Sequence, residues 1–233
     1  MGMMYGFIYE GTYKYEDFDK AGDTYTLKRN VPYFSSESNT QPGMPKYADL
    51  NGDGIIDDND RTMIGNGMPK HTGGFTNNFE YKGFDLSIFF QWSYGNDVLN
   101  ANRLFFENSN KTRDLNQYAS YADRWTPENP TSNIPVATDS GSNKVFSTRI
   151  IEDGSFLRLK TVSLGYTLPK QLTKKWKIDN ARVFVACQNL WTCTGYSGYD
   201  PEVSIREGAL TPGLDFSAYP RAYSISFGIN LGF

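Results

Sequence analysis

Apolar and polar residues alternate with a period of two over several stretches of this chain, most strictly in residues 223–233. There Tyr223, Ile225, Phe227, Ile229, Leu231 and Phe233 take every second place, with Ser224, Ser226, Gly228, Asn230 and Gly232 between them. A period of two is the mark of a strand with one apolar face and one polar or small face. The same pattern predicts a hairpin with arms at 73–81 and 84–94, turning at Lys82 and Gly83. In its second arm Phe84, Leu86, Ile88, Phe90, Trp92 and Tyr94 alternate with Asp85, Ser87, Phe89, Gln91 and Ser93. Further strands are predicted at 156–168 and 181–194, and a first one at 5–15, rich in tyrosine.

The long runs match the roughly 9–11 residues with which a tilted strand crosses a bilayer. A mostly polar alternate face is hard to place in a soluble core and easy to place against a wet lumen. Trp92 and Tyr94 at one end of an arm, and Tyr81 and Phe84 at the other, stand where interfacial aromatic girdles belong. In the 156–168 run Arg158 and Lys160 share the apolar parity, which predicts a first half projecting above the membrane. Connections alternate between short, as at 169–180, and long, at about 95–153 and 195–218. The 95–153 loop holds two candidate helices, at 97–107 and at 114–125, the second ending before Pro127. The fold class read from these features is all-β: a partial antiparallel transmembrane β-barrel of about six strands, with long extracellular loops containing short helices.

Composition narrows the picture. No run of about 18 apolar residues exists, which excludes transmembrane helices and leaves a membrane β-barrel open. A net charge of −3 without a basic stripe argues against nucleic acid as a partner. The single histidine, His71, lies beside a turn. No Ser/His/Asp, Cys/His or zinc-ligand grouping accompanies it, so the chain reads as a non-enzyme. Cys187 and Cys193 fall in one strand, about 20 Å apart when extended, beyond disulfide reach. The opening residues carry no basic or apolar leader, so an export address is expected upstream and the chain is expected to be a fragment.

The sharpest local motif runs from Asp49 to Asp60. Asp49, Asn51, Asp53, Asp57 and Asp60 place oxygen side chains at the first, third, fifth, ninth and twelfth positions of an EF-hand-like loop. Gly54 stands at the sharp turn, the Ile55 carbonyl supplies a backbone ligand, and Ile56 points away to pack. The set suits calcium in a structural role, with Asp60 where glutamate is usual. An Asp/Asn/Gly-rich turn without metal is the plainer reading of the same residues.

Several stretches taken together resemble one family. They are Met3-Met4-Tyr5-Gly6, Asp49-Leu50-Asn51-Gly52-Asp53-Gly54, Arg124-Trp125-Thr126-Pro127-Glu128-Asn129-Pro130 and Phe156-Leu157-Arg158-Leu159-Lys160. Leu164-Gly165-Tyr166-Thr167-Leu168-Pro169, Gln188-Asn189-Leu190-Trp191 and Ser197-Gly198-Tyr199-Asp200-Pro201-Glu202-Val203 complete the set. In this order they resemble the C-terminal part of the SusC/RagA-type TonB-linked outer-membrane transporters of Bacteroidetes. The resemblance implies import of nutrient oligomers, glycans or peptides, across the outer membrane. It implies a SusD-like surface lipoprotein as capture partner, and energy from the TonB complex through a plug that has no counterpart in the chain. It also implies contact with outer-membrane lipid, and a final strand read by the barrel-assembly machinery through Phe233. There Gly228 and Gly232 are expected to let a partner backbone approach closely. The competing reading is a soluble secreted calcium-binding β-domain, carbohydrate-binding or dockerin-like. A dockerin predicts a second copy of the loop and helical flanks, which the sequence does not show.

Overall fold

The computed structural model describes residues 2–108, 116–138, 145–205 and 211–233. Strands dominate it and helices are few and short. The chain divides into two compact units. One gathers residues 69–96, 153–203 and 219–233, the other 2–68, 97–152 and 204–218.

The first unit is a five-stranded antiparallel sheet. Its strands are β1 (His71–Tyr81), β2 (Phe84–Tyr94), β3 (Phe156–Thr167), β4 (Asn180–Thr194) and β5 (Ser224–Gly232). They lie in the order β5-β4-β3-β2-β1, so β1 and β5 are the edges. Lys82 and Gly83 both take positive φ, 46° and 88°, as a two-residue hairpin turn between right-twisted strands requires. Chain order puts the short links, 82–83 and 168–179, at one end of the sheet. Both long connections begin and end at the other. The 168–179 link contains a helical turn, Lys170–Thr173, followed by a 3₁₀ turn, Lys174–Trp176, neither of which the sequence pattern announces.

Register explains the faces. Phe84, Leu86 and Ile88 of β2 stand opposite Tyr166, Leu164 and Val162 of β3. These in turn face Val183, Val185 and Cys187 of β4, and then Ile229, Phe227 and Ile225 of β5. This apolar surface is open: Phe227 is 82% exposed and Ile229 68%. The opposite face carries Asp85, Ser87, Gln91, Ser163, Gln188, Ser224, Ser226 and Asn230 at matching positions.

One expectation fails here. Arg158 does not share the apolar parity, because the β2–β3 and β3–β4 registers both pass over Lys160. This is a β-bulge, which reverses the side-chain phase of everything before it. Leu159 and Leu157 therefore stand opposite Phe90 and Trp92 on the apolar face, and Arg158 joins the polar one.

The second unit holds small sheets around aromatic clusters. The predicted first strand at 5–15 is corrected: it splits into Met3–Gly6, paired with Thr62–Asn66, and Tyr9–Thr12, paired with Pro45–Tyr47. Its aromatics fill a core. Phe7 packs with Tyr47, Ile56 and Phe34, and Tyr13 with Phe18 and Leu27. The long sheet therefore has five of the roughly six strands expected. Tyr33–Phe34 pairs in parallel with Ile55–Ile56.

The predicted helix at 97–107 is a strand, Asp97–Asn100, followed by a short helix, Asn102–Phe106. The strand wins because its backbone pairs in parallel with Leu214–Asp215, a long-range bond that local periodicity cannot show. Of the helix expected at 114–125, Asp114 and Leu115 lie outside the described residues. The rest contains only a 3₁₀ stretch, Ala119–Asp123, with Tyr121 and Trp125 buried.

Candidate functional site

The polar face of the sheet concentrates the chemistry of the first unit. Near the short-turn end, Arg182 of β4 reaches across β3 to Asp85 of β2, its Nε donating to Oδ1 at 2.8 Å. Gly165 lies beneath the pair. A Cβ there would meet the Arg182 guanidinium and the Asp85 carboxylate at 2.3 and 2.5 Å, so the bridge depends on a residue without one. At Gly228 the side-chain space is filled by the ring of Phe184 from β4. Gly232 meets Asn180 only at ordinary van der Waals distance. Gly228 thus serves its own sheet as a bed for an aromatic ring.

Toward the other end, the bulge at Lys160 delivers Arg158 into a buried ion cluster. Asp200 Oδ1 accepts from Arg158 Nη2 at 2.6 Å and from the Glu202 N–H at 2.9 Å, while Oδ2 accepts from the Arg221 N–H at 3.0 Å. Glu202 meets Arg158 Nη1 at 2.7 Å and Lys160 Nζ at 3.6 Å, and accepts from Gln91 Nε2 at 3.5 Å. Arg158 and Asp200 are each 3% exposed. Burial pushes the Asp200 carboxyl up, but Arg158 and the two backbone donors outweigh it and hold it below the usual carboxylate range. Removing one member would strand the others, the costly way to break a buried pair. Sequence reasoning missed this cluster because the bulge hid the parity of Arg158.

In the second unit, the 49–60 loop folds on its own oxygens. Asp49 accepts from the N–H groups of Gly52 (2.7 Å) and Gly54 (2.8 Å), Asn51 from Asp53 (2.9 Å), and Asp53 from Ile55 (2.8 Å). Asp57 caps the 3₁₀ turn Asp58–Asp60 through the Asn59 N–H at 2.7 Å. Asp60 is buried, and its carboxylate accepts from Leu50, Asn51 and Asp57 at 2.8, 3.3 and 2.8 Å. Burial alone would raise its pKa, and these three amides hold it low instead. Ile56 packs into the core as expected, while Ile55 is exposed. Among the described residues no three His, Cys, Asp or Glu side chains stand together as a group that could hold a metal. As placed, these oxygens serve backbone amides.

A scan against family models finds no match. Curated relatives do match. TonB-dependent receptor P3 of Formosa agariphila is 34% identical over the whole chain, which covers 22% of that receptor. TonB-dependent receptor P26 of the same organism is 39% identical over 82% of the chain. TonB-dependent receptor SusC of Bacteroides thetaiotaomicron is 28% identical over 84% of it. Among solved structures, the RagAB peptide transporter superposes on 99% of the chain and 23% of its own, at a TM-score of 0.72 and 25% identity. The chain belongs to the SusC/RagA-type TonB-dependent receptors.

The segment spans about a fifth of the length of the curated receptors it matches. Within this SusC/RagA-type segment, two of the stretches that carried the resemblance meet at one place. Phe156 to Lys160 supplies Arg158, and Ser197 to Val203 supplies Asp200 and Glu202. The Arg124–Pro130 stretch is a packed turn in the second unit. Trp125 Nε1 donates to the Pro130 carbonyl at 3.0 Å, and its ring lies over Gly43. Phe233 follows the edge strand β5 and is 85% exposed.

Proposed function

We propose that the chain is the C-terminal barrel portion of an outer-membrane transporter importing nutrient oligomers, glycans or peptides. A SusD-like surface lipoprotein would be its capture partner, and the TonB complex its energy source through a plug supplied by the rest of the receptor. The observation that carries this reading is the five-stranded antiparallel sheet. It has one open apolar face suited to lipid and one polar face suited to a wet lumen. Long connections at one end and short turns at the other agree with it. Membership of a receptor family, rather than an enzyme family, supports it too. On this reading β5 and Phe233 present the edge that the assembly machinery would recognise by strand pairing.

The test is fractionation and uptake in cells expressing the full-length receptor. It should sediment with the outer membrane, and its deletion should abolish accumulation of a labelled oligosaccharide or peptide. Recovery in the soluble periplasmic fraction would defeat the proposal. For the 49–60 loop we propose a structural calcium held by Asp49, Asn51, Asp53, Asp57, Asp60 and the Ile55 carbonyl. The spacing supports it; the ion would have to compete with the amides that now occupy those oxygens.

A further inference from the structure

The link between β3 and β4 has a chemistry of its own. Lys170, Lys174, Lys175 and Lys177 fall within eight positions, in a chain whose net charge is −3. With Lys82 in the other short link, the two links carry five lysines against one acid, Asp179. All four lysines of the longer link are exposed, and among the described residues none of them forms a salt bridge. The apolar residues of the link are inverted as well. Thr173 is 1% exposed, while Leu172 is 51% and Trp176 66% exposed. A turn facing water buries its large apolar residues and exposes the small polar one. The link is also fixed to the sheet at both ends. Leu168 donates its N–H to the Ala181 carbonyl at 2.9 Å, and Asp179 to the Gly232 carbonyl at 2.8 Å. It therefore stands at the end of the sheet where Tyr81, Phe84 and Phe233 are exposed.

We propose that this link binds anionic phospholipid, its lysines pairing with headgroup phosphates while Trp176 and Leu172 enter the boundary between headgroups and acyl chains. The inference rests on the transporter reading and adds to it a lipid chemistry, a leaflet and the residues that select them. On that reading the long connections are external, so the short links lie at the periplasmic leaflet. Two independent features converge on one ligand. Unpaired cations call for an anion, and each lysine close to an anionic membrane surface strengthens binding by about fivefold. Exposed indole and leucine beside them call for hydrocarbon, and an indole suits the interface because one part is apolar and its N–H is polar. Lysine fits between the two, since its stem lies along apolar surface while the ammonium reaches the headgroup. A soluble phosphate would account for the lysines alone and leave Trp176 and Leu172 unexplained.

The experiment uses the full-length receptor in nonionic detergent and counts bound lipid by native mass spectrometry, titrating dioleoyl phosphatidylglycerol or dioleoyl phosphatidylcholine. The unaltered receptor should bind phosphatidylglycerol more tightly. Lys170→Gln, Lys174→Gln, Lys175→Gln and Lys177→Gln together should weaken phosphatidylglycerol at least about tenfold and leave phosphatidylcholine unchanged. The four corresponding changes to arginine should keep the preference. Trp176→Ser should weaken both lipids, because insertion of the ring does not depend on headgroup charge. Unchanged phosphatidylglycerol affinity in the glutamine variant would overturn the proposal, and loss of uptake in that variant would then assign the lysines to a protein partner. Displacement of phosphatidylglycerol by millimolar inorganic phosphate would overturn it in favour of a soluble anion. A receptor that sediments with the outer membrane yet binds both lipids equally defeats only this inference, whereas one recovered in the soluble periplasmic fraction defeats the transporter reading.

Discussion

At the residue scale, the structure separates side chains that could face a ligand from those that hold the backbone. Asp53 and Asp60 belong to the same motif and look equivalent in sequence, yet Asp53 is exposed and Asp60 is buried. Asp60 accepts from three backbone donors on either side of the loop and so ties its two ends together. Asp60→Ala should therefore loosen the loop, seen as a large loss of hydrogen-exchange protection at Leu50, Asn51 and Asp57. Asp53→Ala should leave that protection intact and weaken calcium binding by calorimetry; no heat at millimolar calcium would remove the metal altogether. The pH dependence has a definite sign. The folded pKa of Asp60 lies below its unfolded value, so its stabilisation is complete above the ordinary carboxylate range. It is lost only as pH falls through the depressed folded value. Protection at these three amides should hold through mildly acidic pH and fail below it.

At the scale of elements, the strands of the long sheet were legible wherever their period was uninterrupted, as in 84–94 and 224–232. What escaped was set by one residue or by distant pairing. The bulge at Lys160 has no sequence mark, so Arg158 read as outward-facing and the ion cluster stayed invisible. The 5–15 alternation is real, but its rings close on Tyr47 and Leu27, partners that sequence proximity does not suggest. The Asp49–Asp60 motif was legible as a turn, because Asx bonds are local. The role of Asp60 as its inner staple depends on burial and was not. Deleting Lys160 tests the bulge directly. Without it Arg158 should rotate to the apolar face and Leu157 and Leu159 to the polar one. An arginine on a lipid-facing surface costs up to about 2–4 kcal/mol, depending on depth, and its abandoned carboxylates add to that. The fraction of full-length receptor that migrates as a heat-modifiable folded band should fall sharply. Lys160→Ala, which keeps the residue count, should restore most of it. Equal yields for the two variants would show that the bulge is dispensable.

At the scale of the whole chain, the sheet leaves two demands unmet within its own unit. Strands β1 and β5 end it as unpaired edges, and its apolar face carries Phe75, Phe79, Phe227, Ile229 and Leu231 in the open. A free edge beside an exposed apolar surface is a template for association in water. Five strands are also too few to close a barrel of the size an importer needs. The chain expressed alone should therefore be recovered as aggregate from plain buffer. It should partition into detergent, and its strand content by circular dichroism should survive only there. The second unit sharpens the test, because its aromatic clusters are buried without help from the sheet. Replacing Phe227 and Ile229 with serine would remove much of the apolar surface of β5 without touching those clusters. This pair of changes should reduce detergent partition while the environment of the buried tyrosines stays as it was. A monodisperse, cooperatively folding monomer of the unaltered chain in plain buffer would mean that the apolar face is covered by the chain itself, and the lipid-facing reading of the sheet would fall with it.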